Sequence, residues 1–207
     1  MTADTFRIGE ALSFGWDRFR ANAGFLLLLG LVLGVLLVVA NGLQRAAAAA
    51  PPVFALVYLL VLAINAFISF VFVTAALEIE KFGSVSLDDL APHLPRFFQY
   101  FIGYLLFFLA LMIGYALLIL PGVYLSVKLF FYMFLVVDKK MPGVDALKLS
   151  YDMTRGHFGS LLCFLLSLIV INMAGLMLFG IGVLLTIPLT FIAAAYVYRK
   201  LAEKSLP

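Results

Sequence analysis

Six apolar runs, each long enough to cross a hydrocarbon core of roughly 30 Å, follow one another with almost every charge confined to the segments between them. They fall at about Gly24–Ala40, Val53–Leu77, Phe97–Leu120, Pro121–Val137, Leu161–Phe179 and Ile181–Tyr198. A water-soluble fold of 207 residues has nowhere to hide them, because 65% of the chain is apolar, 12% is charged and the mean hydropathy is +1.16. A membrane β-barrel would need short alternating segments, which are absent, whereas helices satisfy their own backbone groups in hydrocarbon. The expected fold is therefore all-α: a single polytopic membrane domain over residues 1–207, with six transmembrane helices.

The breaks between runs carry turn chemistry. Asn41-Gly42 and Pro51-Pro52 flank the first, Pro121-Gly122 makes the second, and Gly180-Ile181-Gly182 makes the third. The run Phe25–Ala40 followed by Ala46–Ala50 resembles a secretory leader, but Asp4, Glu10 and Asp17 precede it in a long, helically patterned stretch, so a retained first helix is expected. Cys163 is the single cysteine, so no intramolecular disulfide forms. Its apolar setting reads as packing.

Lys and Arg fix an orientation. Twelve of them (Arg7, Arg18, Arg20, Lys81, Arg96, Lys139, Lys140, Lys148, Arg155, Arg199, Lys200 and Lys204) share one side, against Arg45 alone on the other. The positive-inside bias places both termini in the cytoplasm of a bacterial cell, with the protein multi-pass in the inner membrane. The net charge of +3 describes this face. Anionic lipid headgroups are its expected partners, and the acidic residues interspersed through the same segments argue against nucleic acid.

The basic segments are patterned. Ile8, Leu12, Trp16 and Phe19 recur at helical spacing within residues 6–20, predicting an amphipathic helix in the interface, and Val144, Leu147 and Tyr151 do the same before the fifth run. At an offset of 135 residues Trp16 falls on Tyr151, Asp17 on Asp152, Arg20 on Arg155 and Gly24 on Gly159. A third, weaker copy lies at Ser86–Phe98, where Ser86 and Asp89 resemble a helix start and Pro92 and Pro95 keep the helix short. The chain thus reads as three parallel repeats, each an interfacial helix and a hairpin; the bland alternative is that aromatic and basic residues simply favour interfaces. The membrane-surface residues of this reading are Trp16, Arg18, Arg20, Lys148, Tyr151 and Arg155.

Strings in the C-terminal half resemble a broad group of uncharacterised bacterial membrane proteins, similar to the membrane domain of some glycerophosphoryl diester phosphodiesterases. They are Leu120-Pro121-Gly122-Val123-Tyr124-Leu125-Ser126-Val127-Lys128, Ala146-Leu147-Lys148-Leu149-Ser150-Tyr151-Asp152-Met153-Thr154-Arg155-Gly156, Ile187-Pro188-Leu189 and Tyr196-Val197-Tyr198-Arg199. Ile8-Gly9-Glu10-Ala11-Leu12-Ser13-Phe14-Gly15-Trp16 is of the same type. The resemblance implies the fold and little about activity, since in those enzymes the chemistry belongs to a separate soluble barrel with acidic metal ligands, to which nothing here corresponds.

Catalytic constellations are lacking. His93 and His157, the only histidines, have no ligand-like spacing to Cys or carboxylate, and all eleven acidic residues lie in loops or at membrane edges. Ser69, Ser126, Ser167, Thr186 and Thr190 lie within apolar runs with no base at depth, so they are expected to bond to helix backbone or to a neighbouring helix. No catalytic residue, metal ligand or cofactor is assigned, and an enzyme is not expected. Lys128 is the outlying charge: six residues beyond Gly122 put it roughly 9 Å below the outer boundary, where a lysine costs about 2.5–3.5 kcal/mol. It either snorkels outward to carbonyls near Pro121, or faces the bundle interior and attracts an anion. Asn65 and Asn172 are the other deep polar groups; they read as helix-to-helix pins or, with Lys128, as ligand-binding residues. Pro188 is expected to kink the sixth helix. The leading functional expectation is a non-enzymatic lipid-interacting or scaffolding protein of the cell envelope, working with lipid, a membrane-protein partner or a second copy. The alternative is a small transporter or lipid translocator with a polar cavity near Lys128.

Overall fold

A computed structural model describes residues 6–49, 51–178 and 180–205; Asp4, Ala50 and Phe179, named above, lie outside the described residues. Among the described residues the regular structure is helical throughout: α1 Ile8–Ala21, α2 Ala23–Ala46, α3 Pro51–Phe82, α4 Leu87–Leu90, α5 Phe97–Leu117, α6 Ile119–Leu129, α7 Tyr132–Asp138, α8 Gly143–Met153, α9 Phe158–Met177 and α10 Val183–Ser205. Among the described residues six segments are long and apolar enough to cross a membrane: α2, α3, the stretch from α4 through α5, α6 with α7, α9 and α10. The protein is a multi-pass, all-α membrane protein. Its crossings pair into three hairpins, α2–α3, α5–α6/α7 and α9–α10, preceded by α1, α4 and α8 respectively.

The second turn differs from its sequence reading. The chain reverses at Leu118, in extended backbone (φ −169°, ψ 160°), so Pro121 falls inside the first turn of α6. Proline is tolerated there because the first amide groups of a helix have no intrahelical acceptor to lose. Gly122 is freed for packing: its Cα lies 3.0 Å from where a Cβ on Gly114 of α5 would stand, so the two helices touch backbone to backbone. Gly175 and Gly182 play the same part between α9 and α10, while Gly180 (φ +76°) supplies the left-handed residue of the third turn.

The second helix of every hairpin is central. Every residue from Phe131 to Val137 is buried, as are Phe70–Leu77 and Ile192–Ala195. Phe134 stacks on Tyr198 at 5.4 Å and Phe72 on Phe191 at 5.6 Å, so aromatic faces tie α10 to both α7 and α3. The first helices and the hairpin tips are peripheral: Leu28, Val38, Leu56, Leu120 and Met177 all expose more than half of their surface.

The short helices close this centre in a cyclic pattern. α1 packs on α10, α4 on α3, and α8 on α6 and α7 and equally on α5, so each touches the second helix of the hairpin before it, with α1 completing the ring. The faces they bury are displaced from those the spacing suggested. α1 turns Ala11, Gly15 and Phe19 inward and leaves Trp16 44% exposed, and α8 buries Gly143, Ala146, Ser150 and Met153. Close approach of two backbones demands small residues at the seam, which outweighs the gain from burying one large ring. Under the 135-residue offset Ala11 falls on Ala146 and Gly15 on Ser150, so the repeat extends to the packing seam.

Candidate functional site: a caged lysine within a basic collar

Lys128 lies in the last turn of α6, just before the helix breaks at Phe130–Phe131 and resumes as α7. Its carbonyl accepts from Ser150 Oγ of α8 at 2.9 Å, and Thr154 Oγ1 at the end of α8 stands 3.3 Å away, its one proton shared with the Ser150 and Tyr151 carbonyls. Both hydroxyl residues are completely buried. The break therefore has no stranded acceptor, and α8 is pinned to the point where α6 gives way to α7.

The same contact fixes the lysine side chain. Lys128 is 4% exposed, with its ammonium 5.2 Å from the centre of the Tyr151 ring and 5.8 Å from that of Tyr124. It rests on α8, a helix of the basic end, and not on the carbonyls near Pro121 toward which outward snorkelling would carry it. Among the described residues no carboxylate pairs with it and no hydrogen-bond acceptor meets it; the two π faces are what it has. The phenols share one hydrogen bond at 3.2 Å, and Arg155 stands 5.8 Å from the Tyr151 ring while holding Asp152 at 3.1 Å.

Asn172 lies in another place. It lines an apolar groove of about 330 Å³ between the second and third hairpins, with Ser126, Thr190, Phe130, Leu168 and Phe191. Its amide donates to the Leu168 carbonyl at 2.9 Å and to Thr190 Oγ1 at 3.2 Å, pinning α9 to α10. Asn65 is not brought to either site, and donates to the Val61 carbonyl of its own helix at 2.8 Å. Ser126, Ser167 and Thr190 likewise bond to helix carbonyls, and Ser69 reaches across to the Tyr100 phenol at 2.7 Å, but Thr186 departs from the expectation: its buried Oγ1, close against Gly175, meets no hydrogen-bond partner among the described residues.

The surface residues form a collar along the short helices. Arg20 lies 6.0 Å from the Trp16 ring, Arg18 5.3 Å from Phe14, and Lys148 is exposed on α8. The structure also assembles a polar cluster that the sequence did not reveal. Arg199 of α10 donates to Glu80 of α3 through both Nε and a terminal nitrogen at 2.9 Å and lies 3.8 Å from Asp138 of α7, which accepts the Tyr198 phenol at 2.8 Å. Each member lies in the last two turns of the second helix of a hairpin. The signal was that shared position, hidden because these residues read as ordinary loop charges. Nearby, His93 and Glu78 meet at 3.0 Å, tying the segment before α5 to α3.

Among the described residues no cluster of three or more His, Cys, Asp or Glu side chains is placed to hold a metal ion. No curated protein and no solved structure matches the chain. The likeness to the phosphodiesterase membrane domain finds no support in these comparisons. The match that is found runs over residues 82–203, from the end of α3 to the end of α10, covering the Lys128 cage, the groove at Asn172 and all but Glu80 of the ion cluster. It spans more than half of the sequence, and the chain belongs to the family described as a domain of unknown function, DUF7847.

Proposed function

We propose that this is a non-enzymatic protein of the bacterial inner membrane, both termini cytoplasmic, that gathers anionic lipid headgroups on a basic collar and serves as a lipid-interacting or scaffolding component of the cell envelope. The observation that carries this reading is the direction of the cations. Arg20 and Lys148 are exposed on short helices whose small residues face the centre, Arg155 is exposed in the turn after α8, and Arg20 and Arg155 each lie against an exposed or half-buried aromatic ring. An aromatic ring beside a cation suits the boundary between acyl chains and headgroups, with the ring at the depth of the glycerol and the charge at the phosphate.

The packing of the centre favours this over the transporter. α3, α7 and α10 fill the axis with aromatic and aliphatic side chains, and the groove beside Asn172 is walled almost wholly by apolar residues. A translocation path for a polar solute needs polar groups along its length.

The test is the lipid composition of the protein's own surroundings. Extracted in native nanodiscs with a membrane-solubilising copolymer, the wild type is expected to carry anionic over zwitterionic lipid at several times the ratio of the whole membrane. The variant Arg18→Gln/Arg20→Gln/Lys148→Gln should lose at least half of that enrichment. A wild-type ratio equal to the bulk membrane would overturn the proposal.

A further inference from the structure

We propose that Lys128, Tyr124, Tyr151 and Arg155 form a discrete site for the phosphate of one anionic phospholipid, seated between α6 and α8; this rests on the lipid-binding reading and gives it a defined stoichiometric component.

Donors are in excess at this place. The Lys128 ammonium has three N–H groups and no acceptor among the described residues. Two phenols linked by one hydrogen bond hold two protons, of which one is spent between them and the other remains to donate. Ser150 and Thr154 offer nothing further, since their hydroxyls already serve the Lys128 carbonyl and, for Thr154, carbonyls of its own helix. Arg155 has one carboxylate partner for a guanidinium with five N–H groups.

The charges agree. Two cations stand near one Tyr151 ring, Lys128 at 5.2 Å and Arg155 at 5.8 Å from its centre, and Asp152 pairs with Arg155. An anion with several acceptor oxygens completes the balance, and a phosphate offers them in a compact group. Tyr124 is 39% exposed, so the cage has an open side.

An apolar wall adjoins it. Leu129 and Leu147 line a groove of about 410 Å³ that also includes Tyr151, Asp152 and Lys148. Tyr151 thus belongs to both the cage and the groove, as an amphiphile requires: phosphate on one side of the ring, acyl chain along the leucines. A free phosphate would use the first half alone, which makes a lipid the better fit.

Native mass spectrometry of the purified full chain decides this, titrating separately with phosphatidylglycerol, phosphatidylcholine and inorganic phosphate. The wild type should take up one phosphatidylglycerol in a saturable step, at least 10-fold tighter than phosphatidylcholine. Lys128→Met, close in volume and uncharged, should weaken that step at least 10-fold. Tyr151→Phe keeps the ring and loses a donor, for about a 3-fold loss, while Lys128→Arg should stay within about 3-fold of wild type. The collar variant Arg18→Gln/Arg20→Gln should leave the step unchanged, so failure of the site and failure of the collar are told apart. Should Lys128→Met not fold, Arg155→Gln on the exposed face carries the same test with at least a 3-fold loss. Unchanged affinity in Lys128→Met or, in its place, Arg155→Gln overturns the site; equal binding of phosphatidylcholine, or displacement of the lipid by millimolar inorganic phosphate, overturns its assignment to an anionic lipid.

Discussion

The α1–α10 seam and the α8–α6/α7 seam occupy equivalent places in the three-fold arrangement, yet they are held by different forces. At the first, Gly15 brings α1 so close to α10 that an added Cβ would stand 3.0 Å from the Leu189 carbonyl oxygen and 3.1 Å from the Ala193 Cβ. At that point the seam is a contact of small residues. At the second, the position matching Gly15 is Ser150, whose hydroxyl reaches the carbonyl of Lys128 beside a broken helix. One copy of the motif is used for packing alone. The other has admitted polar atoms and a charge, and a unit that has departed from its repeat in this direction is where binding chemistry is best sought.

The largest effect separating the seams is expected at Gly143, the first residue of α8. A Cβ there would come within 2.6 Å of the Gln99 carbonyl oxygen and of the Gly103 amide nitrogen, backbone atoms that have no rotamer to change. Gly143→Val should destabilise by about 3 kcal/mol, the upper part of the overpacking range. The measurement is unfolding of the detergent-solubilised protein by sodium dodecyl sulfate, and a midpoint unchanged from wild type would mean that α8 does not rest on α5.

Gly15→Ala is the milder counterpart, at about 1–2 kcal/mol, because its nearest neighbours stand a few tenths of an ångström farther away. Pairing it with Ala193→Gly should restore part of the loss if the seam is a direct helix contact. Additivity of the two changes would break the comparison, since it would show that Gly15 and Ala193 do not touch.

Much of the architecture was legible in the residues and some of it was not, for a physical reason. The six crossings followed from run length, because hydrocarbon thickness sets a lower bound that Ala23–Ala46 or Phe158–Met177 meets plainly. Which helices are central was not legible. Leu135 of α7, fully buried, and Leu166 of α9, 51% exposed, are the same residue in two apolar crossings, and a membrane rewards both placements alike. The buried seams of α1 and α8 lie one position from most of the large apolar residues that mark the spacing, with Phe19 common to both, for the same reason. Large apolar residues mark a core in water, whereas small ones mark it between helices in lipid, so Gly15 and Ala146 were the informative residues and Trp16 was not. Lys128 announced itself as a charge at depth, but its partners on α8 depended on a helix break that Phe130-Phe131 does not signal. Asn172 and Asn65 looked equivalent, and only the facing Thr190 distinguishes the interhelical pin from the local bond.

Hydroxyl deletion at the polar seam comes next in size. Ser150→Ala should cost about 1 kcal/mol, because Thr154 remains within 3.3 Å to serve the Lys128 carbonyl. Ser150→Ala/Thr154→Val should cost more than the sum of the two single changes, since it leaves a buried acceptor with neither donor. Amide hydrogen exchange at Tyr132–Leu135, just beyond the break, should accelerate in the double variant and little in either single one. Strict additivity would show that the two hydroxyls do not back each other up.

The smallest stability effect is expected where the two copies present their matched aromatic residues. Trp16 is 44% exposed on α1, with Arg20 beside it, and its removal takes nothing from the Ala11–Gly15–Phe19 seam. Trp16→Ala should shift the detergent-solubilised midpoint by no more than about 0.5 kcal/mol, as surface substitutions do. Tyr151→Ala takes away a ring lying against Lys128 and Arg155 and the phenol that Tyr124 meets, so its cost should reach about 1–2 kcal/mol. Equal costs for the two changes in detergent would mean that the aromatic positions serve one interfacial purpose in both copies, and that the two seams differ only where the hydroxyls of Ser150 and Thr154 meet the Lys128 carbonyl of the preceding hairpin.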